Sequence, residues 1–90
     1  MIKKYKIEKE IDTIKVAIFK IKNEFIFNEN LEWINLTNNQ ITKIENLNEN
    51  LKWIDLNNNQ ITKIDKKTLE LIKKNNIRVI GVDIDKLIIE

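Results

Sequence analysis

Two tryptophans, Trp33 and Trp53, are the side chains of this sequence best suited to recognising another molecule. They lie 20 residues apart, and each is followed two positions later by a polar side chain, Asn35 or Asp55. Tryptophan is enriched at the energetically dominant positions of interfaces, where its truncation costs about 2 kcal/mol or more. The residue types and their spacing therefore indicate binding chemistry.

Catalytic and metal chemistry have little support in the sequence. The 90 residues include no Cys, His or Ser, which removes the common nucleophiles and the thiolate and imidazole metal ligands. Gly81 is the single glycine and cannot form a phosphate-binding loop alone, and Asp83 with Asp85 falls short of the six to eight oxygen ligands of Ca²⁺. We therefore expect a protein that is not an enzyme and that has neither a cofactor nor a metal site.

The charges are unevenly distributed although the formal net charge is only +2. Residues 1–22 carry a net charge of +4, residues 23–65 of −4 and residues 66–90 of +2. Basic ends beside aromatic rings are typical of single-strand nucleic-acid platforms, so nucleic-acid binding through the termini is the alternative function, and the acidic middle argues against it. The sequence contains no membrane-spanning segment and no signal-peptide core, which predicts a cytoplasmic protein.

A repeat of 20 residues positions the tryptophans. LEWINLTNNQITKI at 31–44 and LKWIDLNNNQITKI at 51–64 are identical at 11 of 14 positions. Both segments fit the pattern L-x-x-L-x-L-x-x-N-x-L. On these motifs the chain resembles the leucine-rich repeat family, and the resemblance implies an α/β solenoid with a small parallel β-sheet on its concave side.

The spacing within each repeat supports this arrangement on physical grounds. Ile34 and Leu36 are two residues apart, so they point to the same face of a strand, and the next repeat places its apolar pair on that face again. Asn39 and Asn59 fall where the chain leaves each strand. Their amides are expected to bond backbone groups that lack a partner in the sheet, and the neighbouring asparagines are also expected to be structural.

The repeat weakens towards both ends of the chain. Regular repeats at 31–50 and 51–70 are flanked by degenerate coils at 11–30 and 77–90, and residues 11–30 alternatively form a capping hairpin of Lys15–Ile21 with Phe25–Asn28. The candidate cap residues are Tyr5, Ile7, Ile84, Ile88 and Ile89. We expect one domain, 1–90, with an N-terminal cap and degenerate coil at 1–30, regular repeats at 31–64, and a C-terminal helix and capping strand at 65–90.

The predicted architecture has about four parallel strands, with irregular or 3₁₀ return sides and one short helix near 66–75. Asp65 is expected to begin that helix, and Asn75 or Asn76 to end it. The strands are expected near Thr13–Ala17, Trp33–Thr37, Trp53–Asn57 and Val79–Asp83.

Residues between the core positions face outward on the concave sheet, where the partners of leucine-rich repeat proteins usually dock. Trp33 and Trp53 are expected to stand side by side there as an exposed aromatic patch. The predicted partner-binding residues are Lys15, Trp33, Asn35, Thr37, Trp53, Asp55, Asn57 and Asp83.

The leading hypothesis is a non-enzymatic protein–protein interaction module that binds a basic or mixed protein surface through this face. A narrower version is a small stand-alone inhibitor of a host enzyme, of the phage or anti-CRISPR type. The rings could also join two copies of the chain, so both a monomer and a homodimer are compatible with the sequence.

Overall fold

The computed structural model describes residues 3–8, 10–24 and 31–90, and within these ranges it contains two parallel β-sheets and two α-helices. The short α/β solenoid predicted from the repeats is confirmed. Neither helix in these ranges is long and apolar enough to cross a lipid bilayer. The elements in chain order are β1 (Lys3–Lys6), α1 (Ile14–Glu24), β2 (Leu31–Asn35), β3 (Lys43–Ile44), β4 (Trp53–Asp55), β5 (Lys63–Ile64), α2 (Lys66–Asn75), β6 (Arg78–Ile80), a 3₁₀ helix (Ile84–Lys86) and β7 (Ile88–Ile89).

A four-stranded parallel sheet with the order β1-β2-β4-β6 forms one side of the solenoid. The 20-residue spacing places equivalent residues of the two regular repeats opposite each other, so that Trp33 pairs with Trp53 and Ile34 with Ile54. Ile34 and Ile54 point into the core, with 1% and 0% of their surfaces exposed. Alternate residues of a strand point to opposite faces, so the two tryptophans lie on the outer face, as predicted.

The return side is more regular than the predicted irregular or 3₁₀ structure. β3, β5 and β7 form a second, three-stranded parallel sheet in which Ile44 pairs with Ile64, and Ile64 with Ile89. The Thr62 amide also donates to the Thr42 carbonyl at 3.0 Å, which extends the pairing towards the turn. The 20-residue spacing that aligns β2 with β4 also aligns β3 with β5, because both of these return segments contain the sequence Ile-Thr-Lys-Ile. β7 joins the sheet with a different sequence and a different spacing.

The core lies between the two sheets. Ile34 and Ile54 pack from one side, and Ile44 and Ile64 from the other, all at 0–1% exposure. Of the predicted cap residues, Tyr5, Ile7 and Ile84 are half-buried against this core, whereas Ile88 and Ile89 are 60% and 55% exposed.

The predicted first strand near Thr13–Ala17 is wrong, because this segment begins the helix α1. Ile14, Ala17 and Ile21 have the i, i+3, i+7 spacing of one helix face, and all three are buried. The Thr13 hydroxyl accepts a hydrogen bond from the Val16 amide at 3.2 Å, as helix-capping side chains do. The apolar residues of this segment fit both the two-residue period of a strand and the three- to four-residue spacing of a helix. Packing against the core selects the helix.

The first strand of the sheet is β1, about ten residues earlier than predicted. It pairs in parallel with β2, and the Ile7 amide continues the pairing by donating to the Asn35 carbonyl at 2.9 Å. The alternative hairpin is also wrong in its first half, because Lys15–Ile21 is helical. Its second half, Phe25–Asn28, lies outside the described residues.

The last strand is also displaced from its prediction. β6 covers Arg78–Ile80 instead of Val79–Asp83, and its register places Arg78, not Val79, beside Trp53. The strand ends before Gly81, which has a φ of +90° and turns the chain away from the sheet.

The predicted asparagine ladder is confirmed. Asn39 is 4% exposed, and its Nδ2 donates to the carbonyls of Ile7 at 2.7 Å, Leu36 at 2.9 Å and Thr37 at 3.2 Å. Its Oδ1 accepts from the amides of Glu10 at 3.1 Å and Ile11 at 3.0 Å. Asn39 therefore joins the N-terminal segment at residues 7–11 to the first regular repeat through backbone groups of both.

Asn59 repeats this function one coil later. Its Nδ2 donates to the carbonyls of Leu36 at 2.9 Å and Leu56 at 3.1 Å, and its Oδ1 accepts from the Ile41 amide at 2.9 Å. The preceding residues, Asn38 and Asn58, have φ values of 61° and 59° in the left-handed region that asparagine tolerates, so these asparagines are structural too.

The helix predicted near 66–75 is confirmed as α2, with Asp65 at its N-cap. An Asp65 carboxylate oxygen accepts from the Thr68 amide at 3.2 Å and from its hydroxyl at 3.3 Å. The helix ends at Asn76, whose φ of 52° is left-handed.

Replacing Asp65 with alanine is expected to lower the free energy of unfolding by about 1 kcal/mol, because the Thr68 amide and the buried Thr68 hydroxyl lose their acceptor. Thermal unfolding followed by circular dichroism should show a melting temperature about 4–8 °C lower. Asp65→Asn retains an acceptor and should stay close to the native value. An unchanged melting temperature for Asp65→Ala would contradict the capping role.

Candidate functional site

The outer face of the four-stranded sheet carries two rows of side chains that cross the strands. The strand register defines the tryptophan row as Lys4, Trp33, Trp53 and Arg78. It defines the second row as Lys6, Asn35, Asp55 and Ile80. Between the two rows, the inward column of Tyr5, Ile34, Ile54 and Val79 packs on the core.

The two tryptophans are neighbours in adjacent strands, as predicted, but they are half-buried and not fully exposed. The Lys4 ammonium lies 4.6 Å from the centroid of the Trp33 ring, which is the geometry of a cation–π contact. Such a contact at an exposed site is worth about 0.5–1 kcal/mol. The ring pair is therefore a half-buried aromatic surface with the Lys4 ammonium over the Trp33 ring.

Arg78 continues the row on the other side of Trp53. Its side chain is exposed, and within the described part of the chain it has neither an ion pair nor a side-chain hydrogen bond. A guanidinium presents five donors in a planar fork that suits carboxylate and phosphate groups. The tryptophan row thus has a cation at each end and no carboxylate.

The second row is more polar, and its side chains are tied to the turns that follow the strands. Asn35 Oδ1 accepts from the Thr37 amide at 3.0 Å. Asp55 Oδ1 accepts from the Asn57 amide at 3.1 Å and from Asn57 Nδ2 at 2.9 Å. These bonds hold the turn residues Thr37 and Asn57 beyond the strand ends, at the edge of the face.

Two other lysines near this face, both with described side chains, are paired with acids. Lys6 Nζ lies 2.9 Å from a carboxylate oxygen of Glu8, and Lys52 Nζ lies 2.9 Å from one of Glu32. Exposed pairs of this kind contribute little to stability, but each one neutralises its lysine locally. Among the described side chains of the face, the cations without an ion pair are therefore the two at the ends of the tryptophan row.

The structure assembles six of the eight predicted partner-binding residues around this face and places two elsewhere. Trp33, Asn35, Trp53 and Asp55 lie in the strands, with Thr37 and Asn57 just after them. Lys15 is on α1, because its segment is helical. Asp83 follows the turn at Gly81, and its side chain accepts from the Asp85 amide at 3.1 Å to cap the 3₁₀ helix.

Lys4, Lys6 and Arg78 belong to the face and were missed by sequence reasoning. The alternation Lys-Tyr-Lys-Ile at 4–7 has the period of two that marks an edge strand, so it is a usable signal for β1. The helix α2 is an insertion in the repeat pattern: it lies between Trp53 and Arg78, which pair across 25 positions, whereas Trp33 and Trp53 pair across 20. The position of Arg78 therefore cannot be counted from the repeat. These three cations lie on the face to which the sequence predicts that a basic or mixed protein surface binds.

Comparison with known proteins supports the repeat assignment. A family model described as Leucine Rich Repeat matches residues 30–48 and 50–72. Neither the curated proteins nor the solved structures include a significant match to this chain. Leucine-rich repeat domains generally mediate protein–protein interactions and are typically non-enzymatic. Residues 30–48 and 50–72 are therefore two consecutive leucine-rich repeats within a short α/β repeat fold.

Proposed function

We propose that this protein is a non-enzymatic interaction module that binds another protein through the outer face of its four-stranded sheet, with Trp33 and Trp53 at the centre of the contact. The observation that carries the proposal is the register of β2 and β4, which sets the two rings side by side. Adjacent parallel strands are about 4.8 Å apart, so the two tryptophans are direct neighbours on this face.

The surroundings of the ring pair support the same conclusion. Half-buried rings on paired strands are held in place before binding, so docking a partner on them costs little side-chain entropy. Exposed cations at both ends and the polar second row supply the rim that surrounds the apolar centre of a typical interface.

The test is an affinity pull-down from a source lysate, with the native chain compared with the double variant Trp33→Ala, Trp53→Ala. We expect the double variant to lose at least about 30-fold in affinity for the captured protein, because truncated hot-spot tryptophans cost about 2 kcal/mol or more. Its free energy of unfolding should fall by only about 2 kcal/mol, because the rings are half-buried and outside the core.

Phe19→Ala provides a matched control, because it removes a 66% exposed aromatic ring from α1. This variant should retain the partner. If the double variant folds and still binds as tightly as the native chain, the proposed face is wrong. If nuclease treatment abolishes capture of the partner and the double variant captures it as well as the native chain does, nucleic-acid binding is favoured instead. If the only protein recovered is a second, differently tagged copy of this chain, self-association is favoured.

The inhibitor hypothesis is a narrower form of this proposal. A module that covers a functional surface of an enzyme blocks it without any chemistry of its own, whereas an adaptor leaves the activity of its partner unchanged. The activity of the captured partner, measured with the native chain and with the double variant, separates these two roles.

A further inference from the structure

We infer that the tryptophan row binds an extended acidic segment of the partner, with an apolar side chain between two carboxylates. This inference rests on the proposed function and adds the chemistry of the ligand. The pattern is acidic-x-apolar-x-acidic, in which the apolar side chain lies on the ring pair and each carboxylate meets one of the terminal cations.

The distribution of charge gives the sign of the ligand. Lys4 and Arg78 are both exposed at the ends of the row, and the row contains no acid. Lys6 and Lys52 are already paired with Glu8 and Glu32. A partner that brought cations to the row would place them against Lys4 and Arg78, and such like-charge contacts disfavour a complex.

The spacing of the row gives the conformation and the pattern of the ligand. Three strand spacings separate Lys4 from Arg78, about 14 Å at about 4.8 Å each. An extended chain advances about 3.4 Å per residue, so four residues cover the same span. In an extended segment, residues i, i+2 and i+4 point to the same side. The first and last then reach the two cations, and the middle residue meets the tryptophans.

The second row limits which neighbouring segments fit. Asp55 is half-buried beside Trp53 and Ile80, and its carboxylate already accepts two bonds from Asn57. An acid of the ligand placed next to Asp55 would be repelled by this negative charge, whereas an amide or an apolar residue in the same place would not be repelled. The acids of the segment should therefore be confined to the two positions that meet Lys4 and Arg78.

Selection from a phage-displayed library of random peptides tests the inference without assuming a sequence. The native chain is expected to enrich peptides in which two acids lie four positions apart with an apolar residue midway. One enriched peptide is then synthesised and titrated against three proteins: the native chain, Lys4→Gln with Arg78→Gln, and the double variant Trp33→Ala, Trp53→Ala.

We expect the charge variant to bind the peptide about tenfold more weakly, and added salt to weaken binding to the native chain more than to this variant. Lys67→Gln is the matched control, because it removes an exposed lysine of α2 that has no ion pair within the described residues. This control should bind like the native chain. Equal affinities of the charge variant and the native chain would overturn the inference.

Three other outcomes would also overturn it: no enrichment of peptides, enrichment of basic peptides, or tighter binding of a single-stranded oligothymidine probe than of any selected peptide. The proposed function fails separately. If the pull-down partner needs the tryptophans but tolerates the charge variant, the binding face stands and only the acidic ligand is rejected.

Discussion

Replacing Asn39 with alanine is expected to lower the free energy of unfolding by about 3–5 kcal/mol. The side chain makes five hydrogen bonds to backbone groups, and it is 4% exposed. Its loss leaves the Ile11 amide and the Ile7 carbonyl without this partner, and a buried polar group left unsatisfied costs about 1–3 kcal/mol. A domain of this size has a total stability of only about 5–10 kcal/mol.

Urea unfolding followed by circular dichroism gives this free energy directly. Asn59→Ala is the informative comparison, because the equivalent side chain is half-buried and should cost less than Asn39. Asn39→Asp keeps the acceptor for Glu10 and Ile11, but it buries a charge and sets a carboxylate oxygen against the three carbonyls that Nδ2 now bonds, so it should cost at least as much as Asn39→Ala. If Asn39→Ala has the same free energy of unfolding as the native chain, Asn39 does not join residues 7–11 to the first regular repeat as described.

Replacing Gly81 with alanine is expected to cost about 3 kcal/mol through two separate effects. The φ of +90° lies in a region that side-chain-bearing residues rarely adopt, at a cost of about 1–3 kcal/mol. A Cβ at this position would also lie 2.5 Å from Asn57 Oδ1 and 2.8 Å from the Asn57 backbone nitrogen, so the turn would have to move away from the second repeat. We expect the last coil to pack less tightly on β4.

The double variant Gly81→Ala, Asn57→Gly separates the two contacts. Removing the Asn57 side chain relieves the clash with Oδ1 but leaves the backbone nitrogen and the unfavourable φ in place, so only part of the lost stability should return. Asn57→Gly alone supplies the reference for this cycle. Full recovery in the double variant would mean that the side-chain clash accounts for the whole effect, and native stability of Gly81→Ala would contradict the close approach of the turn to Asn57.

The stacking of the repeated segment can be derived from the sequence alone. Two nearly identical blocks at a constant spacing must stack in register, since any other register would move Ile34 or Ile54 out of the core. The adjacency of Trp33 and Trp53 and the asparagine ladder follow from that register. The helix α2 was also predictable, because it is bounded by a capping aspartate and by asparagines that favour the left-handed conformation.

The arrangement of the two ends, and with it the charge on the outer face of the four-stranded sheet, depends on contacts in the folded chain. Residues 14–21 have apolar residues at spacings that suit either a strand or a helix, and burial of Ala17 and Ile21 against the core selected the helix. The α2 insertion breaks the constant spacing, so only strand pairing could show that Arg78 lies beside Trp53. Local periodicity defines which face of an element is apolar, but the partner of an edge strand depends on contacts between segments far apart in the chain. For that reason the adjacency of the two tryptophans could be predicted from the sequence, whereas the positions of Lys4 and Arg78 beside them could not.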